Sequence, residues 1–147
     1  MAGMTVRDLR TYADRLKERT PMPGEVLAEA VKKHAERLAR FYGIVVDVAS
    51  DVPAELDGRV AAEAFQIVSE GLSNVLRHTA AKTAFVSMRA EGSTLLLHVG
   101  NEASASPSGA HAFTPRSIDE RSRALGGSTA VQQRADGYTV VQVTLPM

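Results

Sequence analysis

Apolar residues in the opening segment recur at Val6, Leu9, Ala13 and Leu16 among charged neighbours. That spacing predicts an amphipathic helix ending before Thr20-Pro21-Met22-Pro23. A second helix is predicted from about Glu25 to Tyr42, with Leu27, Val31, His34 or Ala35, Leu38 and Phe41 along one face and Gly43 closing it. Residues 44–48 alternate as a short strand. Ser50-Asp51-Val52-Pro53 then leads into a third helix of about 20 residues, starting near Pro53 and ending at 78–80.

From Thr83 onward the period drops to two. Ala84, Val86 and Met88 share one face of a strand over 83–88, the turn Glu91-Gly92-Ser93 follows, and 94–99 forms a second strand, together an antiparallel hairpin. Residues 101–115 keep no period, are rich in Ala, Ser, Pro and Gly, and read as a loop whose length points to function rather than mere connection. A short helix over 117–125 stops at Gly126-Gly127, and two last strands, 128–133 and 138–145, flank Asp136-Gly137. This order predicts an α+β fold: a two-layer α/β sandwich with a mixed, largely antiparallel sheet, not a Rossmann sheet. The expected organisation is an amphipathic helix over 1–20, whose apolar face needs the domain body or a second chain, and one domain over 21–147.

Composition narrows the function. At 147 residues and 44% hydrophobic content the chain can bury a core without disulfides or a structural metal. Seventeen Lys plus Arg balance seventeen Asp plus Glu, so no global field draws the molecule to nucleic acid, although a local anion site stays open. With no cysteine there is no thiolate nucleophile and no Cys-based metal centre, and the histidines at 34, 78, 98 and 111 lack metal-ligand spacing. The opening MAGMTVRDLR has the features of neither a signal nor a transit peptide, and no apolar run is long enough to span a bilayer. The expected location is cytoplasmic, which includes the soluble portion of a membrane-anchored protein.

The third helix carries the candidate chemistry. Ala61, Ala64, Phe65, Val68, Leu72, Val75 and Leu76 share one broad side, while Glu63, Gln66, Glu70, Asn74 and Arg77 share the other, with His78 one turn beyond Asn74. Such a stripe is often no more than the solvent side of a surface helix. A carboxylate, an amide oxygen and an imidazole at successive turns also suit one small polar ligand, such as Mg²⁺ with phosphate oxygens. Spacing alone leaves both open.

The stretch Ser69-Glu70-Gly71-Leu72-Ser73-Asn74-Val75-Leu76-Arg77-His78-Thr79-Ala80-Ala81 resembles the N box of the ATP-binding domain of sensor histidine kinases, in the nitrate/nitrite-sensor and lipid-desaturase-sensor branch. Phe41-Tyr42-Gly43-Ile44-Val45-Val46 resembles the phrase before that branch's first strand. Asp119-Glu120-Arg121-Ser122-Arg123-Ala124-Leu125-Gly126-Gly127 is similar to its helix after the ATP lid, and Gly137 with Val140-Val141-Gln142-Val143-Thr144-Leu145-Pro146 to its closing strand. The likeness covers residues 25–146 in the family's order.

The resemblance implies a Bergerat-type (GHKL) ATP-binding fold with ATP and Mg²⁺ as cofactors. Asn74 is then the magnesium ligand, Glu70 a base or polarising carboxylate beside the transferred phosphoryl group, and His78, Arg77 and Lys82 the lining of the phosphate side. Read structurally, Arg77 and Lys82 are solvated charges and His78 a helix-end histidine. The implied activity is phosphoryl transfer from Mg-ATP to a histidine supplied elsewhere, in two-component signal transduction. Its partners are a histidine-containing dimerisation domain in cis or trans, a response regulator, and a second chain in a homo- or heterodimer; its setting is the cytoplasm, including the soluble portion of a membrane-anchored kinase.

Three features depart from the pattern. The family's Asp-x-Gly-x-Gly box corresponds to Asn101-Glu102-Ala103-Ser104-Ala105: Asn101 can still accept from an adenine amine, without the strength of a charged acceptor, and two alanines stand where glycines let the chain turn close to nucleotide. The family's Gly-x-Gly-Leu corresponds to Ala112-Phe113-Thr114-Pro115, with Gly109 nearby, and Pro115 offers no N–H to phosphate. Met4 to Arg19 resembles the later helix of the dimerisation hairpin, but the earlier helix with its phosphoacceptor has no counterpart, and His34 reads as a core or boundary histidine. The isolated chain is therefore expected to be inactive as a kinase. Two functions follow: a sensor-kinase ATP-binding domain, or a noncatalytic kinase-like regulatory or interaction module that has lost ATP binding.

Overall fold

The computed structural model describes residues 22–102 and 115–147. The predicted helix over 1–20, with Val6, Leu9, Ala13 and Leu16, and most of the predicted loop, with Ala103, Ala105, Gly109, Ala112, Phe113 and Thr114, lie outside the described residues. The elements are α1 (Pro23–Tyr42), β1 (Val45–Asp51), α2 (Gly58–His78), β2 (Thr83–Glu91), β3 (Thr94–Glu102), α3 (Arg116–Ala124), β4 (Ser128–Gln133) and β5 (Tyr138–Pro146).

The strands form one five-stranded sheet in the order β1-β2-β3-β5-β4. Only β1 and β2 run parallel, joined through α2. All other neighbours are antiparallel. Ala84, Val86 and Met88 of β2, Leu95, Leu97 and Val99 of β3, and Val143 and Leu145 of β5 are buried at alternating positions. Leu27, Val31 and Leu38 of α1 and Val60, Ala64, Ile67, Val68, Leu72 and Val75 of α2 meet them in one core. The result is the two-layer α+β sandwich that the pattern predicts. Each Val, Leu, Ile or Met side chain of this set is worth about 1.5–3 kcal/mol when fully buried, and a one-residue slip would turn a strand's whole apolar set outward, so this alternation fixes the register.

Local chemistry moves several boundaries. The third predicted helix begins at Gly58 rather than near Pro53, because Pro53 to Leu56 close a turn of their own (Leu56 N–H to the Pro53 carbonyl, 3.2 Å). Asp57 then caps α2, its Oδ1 accepting from the backbone N–H of Arg59 at 2.8 Å and of Val60 at 3.2 Å. Phe41, expected on the apolar face of α1, is 67% exposed; Gly43 turns the chain after the last turn of α1, and Ile44, 2% exposed, takes the core position there. Strand β3 runs on through Asn101 and Glu102, which the pattern assigned to the loop, since Ala84 and Thr139 flank Asn101 in the ladder.

Two glycines set distances between elements. A Cβ on Gly71, inside α2, would stand 3.1–3.2 Å from three side-chain carbons of Val99 in β3. Alanine there would gain roughly 1 kcal/mol of helix propensity and meet an overpacking cost of about 1–3 kcal/mol, so glycine lets α2 lie close on the sheet. A Cβ on Gly127, between α3 and β4, would come within 2.1 Å of the Thr144 carbonyl oxygen, which is backbone and cannot step aside. We expect Gly127→Ala to lower unfolding stability by more than about 2 kcal/mol in chemical denaturation; a change within about 0.5 kcal/mol would show that β5 yields.

His34 of α1 faces α2, its ring edge-on to Phe65 at 6.0 Å between centroids, with Nε2 buried and without a hydrogen-bond partner among the described residues. Burial, aided by the charge of Arg37, lowers its pKa below the ordinary value of 6.5. On acidification the unfolded chain takes up this proton before the native one does, so stability falls as pH drops through 6.5 and stops falling below the depressed native pKa. His34→Gln should therefore lose less stability than the parent between about pH 7.5 and about pH 5.5. Equal slopes for the two proteins would contradict this.

Candidate functional site

The C-terminal end of α2 forms one wall of a cleft of about 1120 Å³. Glu70, Ser73, Asn74, Arg77 and His78 reach it from α2, Thr79 to Lys82 from the turn that follows, Tyr42 and Ile44 from the end of α1, and Pro115, Arg116 and Ser117 from the start of α3. Thr79 builds the turn: its hydroxyl donates to the Val75 carbonyl at 2.7 Å and accepts from the Ala81 N–H at 3.1 Å. The Val45 N–H then donates to the Lys82 carbonyl at 2.9 Å, tying the turn to β1.

Of the residues singled out in the sequence, Glu70, Asn74, Arg77, His78 and Lys82 come together in this cleft. Asn101 is not among its lining residues. It is buried near the end of β3, on the strand face that carries Leu95, Leu97 and Val99, and its Nδ2 donates to the Glu102 carbonyl at 3.0 Å. Glu102 in turn accepts from the Thr83 N–H at 3.1 Å and from the Thr83 hydroxyl, pinning the end of β3 to the start of β2.

Arg121 of α3 is the residue that the sequence pattern missed. Its Nε donates to Glu70 Oε1 at 2.9 Å and its Nη1 to Glu63 Oε1 at 3.0 Å, so one guanidinium bridges two carboxylates two helical turns apart on α2. The hydrogen bond to Glu70, reinforced by the charge of both carboxylates, raises the Arg121 pKa above its ordinary value. Ser122 fastens the same helix on its other side, its hydroxyl paired with that of Thr129 in β4 at 2.9 Å. The available signal was the pairing of acidic Glu63 and Glu70, seven apart on one helix face, with a basic residue in a short amphipathic helix. Glu63 and Glu70 are thus not simply a solvent face; they hold α3 against α2.

A protein-held magnesium ion does not fit these residues. Asn74 Oδ1 already accepts from Arg77 Nη2 at 3.0 Å, and Glu70, the one carboxylate that lines the cleft among the described residues, is paired with Arg121. Among the described residues no group of three or more His, Cys, Asp or Glu side chains could hold a metal. The lining instead carries Arg77, Lys82 and Arg116. Pro115, which caps α3 without a side-chain hydrogen bond, leaves the first N–H groups of that helix beside them.

Because Arg121 is only partly exposed and makes two ion pairs, its loss should be felt without being fatal. Arg121→Met is expected to destabilise the protein by about 1–2 kcal/mol, with Arg121→Lys recovering part of the loss. Denaturant unfolding of both variants provides the measurement, and a neutral Arg121→Met would show that the bridge contributes nothing net.

No protein-family model matches the sequence, and no curated protein matches it. Solved structures do resemble the fold. The Acinetobacter baumannii histidine kinase AdeS superposes with a TM-score of 0.64 at 16% identity, over 97% of this chain and 76% of that one. The histidine kinase domain of the Erythrobacter litoralis blue-light-activated histidine kinase gives 0.58 at 19% identity, over 82% of this chain and 60% of that one. The ATP-binding domain of PrrB from Mycobacterium tuberculosis gives 0.58 at 16% identity, over 81% and 92%. At these identities the likeness establishes architecture: the chain has the α+β two-layer, Bergerat-type (GHKL) fold of histidine-kinase catalytic domains.

Proposed function

We propose that the chain is an ATP-binding domain of a two-component signalling protein, built to present the γ-phosphoryl group to a histidine supplied by a separate dimerisation domain. The observation that carries this is the convergence of Asn74, Arg77, His78 and Lys82 from α2 and its turn with Arg116 and Ser117 from α3 around one cleft. The N-box resemblance of residues 69–81 supports the nitrate- and desaturase-sensor branch as the source of that arrangement.

The chemistry follows from charge. In the transfer, a neutral imidazole nitrogen forms a bond to the γ-phosphorus as the bond to the β,γ-bridging oxygen breaks, and ADP leaves with the added negative charge. Arg77, Lys82 and Arg116 neutralise that charge, while the ordered start of α3 orients the phosphates. Glu70 takes the proton from the phosphorylated imidazole, and its pairing with Arg121 makes it a weaker base for that step. His34 does not serve as acceptor in this chain, since its Nε2 is buried between helices away from the cleft.

The Glu70–Arg121 pair also favours a second reading, a noncatalytic module that binds ATP phosphates without transferring them. Calorimetry with ATP should show binding that weakens about tenfold or more in the double variant Lys82→Gln/Arg116→Gln. Heat indistinguishable from buffer at millimolar ATP, with and without magnesium, would refute ATP binding. Labelled γ-phosphate appearing on a histidine-bearing helix hairpin supplied in trans marks the kinase; binding without transfer marks the noncatalytic module.

A further inference from the structure

The cleft places an arginine where the resemblance asks for a metal. Arg77 stands three residues after Asn74 on α2, which brings its guanidinium over the Asn74 side chain, and Nη2 donates to Oδ1 at 3.0 Å. Magnesium takes oxygen ligands in near-octahedral geometry at about 2.0–2.1 Å, and a guanidinium donating to that same oxygen sets a positive charge against the ion there. Glu70 brings little net negative charge to offset this, because Arg121 Nε donates to its Oε1 at 2.9 Å.

The charge of the lining points the same way. Among the described residues, Arg77, Lys82 and Arg116 line the cleft against the single carboxylate of Glu70, whose charge Arg121 balances from outside the lining. A surplus of fixed positive charge favours the more anionic of two competing ligands, and free ATP is more anionic than its magnesium complex. Guanidinium and ammonium groups also supply the directed donors that phosphate oxygens need once no metal bridges them.

We infer that this cleft binds the triphosphate of ATP without a divalent cation, with Arg77 standing in for the metal at Asn74. The inference rests on the ATP-binding reading above and adds to it the cation requirement and the residue that removes it. Arg77 is exposed near the end of α2, so its replacement leaves the core untouched.

The experiment is calorimetric titration of the whole chain with ATP, once in EDTA and once in excess magnesium, for the parent and for Arg77→Gln. The parent is expected to bind in EDTA at least as tightly as in magnesium. Arg77→Gln is expected to lose about tenfold or more in EDTA and to bind better when magnesium is added, because Asn74 Oδ1 has been freed; its thermal melt should match the parent's. Parent binding that appears only with magnesium overturns the inference and leaves ATP binding standing. Absence of binding in both buffers overturns both. Binding in EDTA that Arg77→Gln leaves unchanged takes the role away from Arg77 and overturns the assignment.

Discussion

How closely α2 lies against β3 decides the geometry of everything above it. Gly71 meets Val99 without an intervening Cβ, and the same helix carries Glu70 immediately before that contact and Asn74 one turn after it. The buried side of α2 and its polar side are therefore not independent: the depth set by the core contact is the height at which the amide and carboxylate stand over the cleft. Asp57 at one end and Thr79 at the other fix where the helix starts and stops, and so which residues reach the rim.

Electrostatics in the cleft is a matter of pairing rather than of net charge. The chain is neutral overall, yet Arg77, Lys82 and Arg116 line the cleft while Glu70 is matched by Arg121. A partly exposed ion pair contributes at most about 1 kcal/mol, well below the value of a buried leucine, so the bridge is not what holds the fold together. Its effect is directional: it decides which charges a ligand meets.

Periodicity made the architecture legible. Alternation in 83–99 and the helical spacing of Leu27, Val31 and Leu38 reflect burial that the sheet and helices realise, and turn glycines marked the hairpins. Boundaries were less legible where a local hydrogen bond competes with the pattern, as at Pro53–Leu56, or where the apolar set outruns the layer, as at Phe41. Glu70, Asn74, Arg77 and His78 line one cleft because residues three and four apart share a helix face, whereas Lys82 reaches it from the turn after the helix. Arg121 escaped notice because its partners lie on another element, 51 and 58 residues away, and single-helix periodicity carries no information about such pairings.

Helix α3 has nine residues, so it spans only about 13 Å at the usual rise. Its first turn touches the cleft through Arg116 and Ser117, and its second grips Glu63 and Glu70 through Arg121 while Ser122 holds Thr129. The same helix therefore meets three neighbours, the cleft, the polar side of α2 and the edge strand β4. With so few residues to divide among them, those three surfaces share side chains on adjacent positions and are not independent of one another.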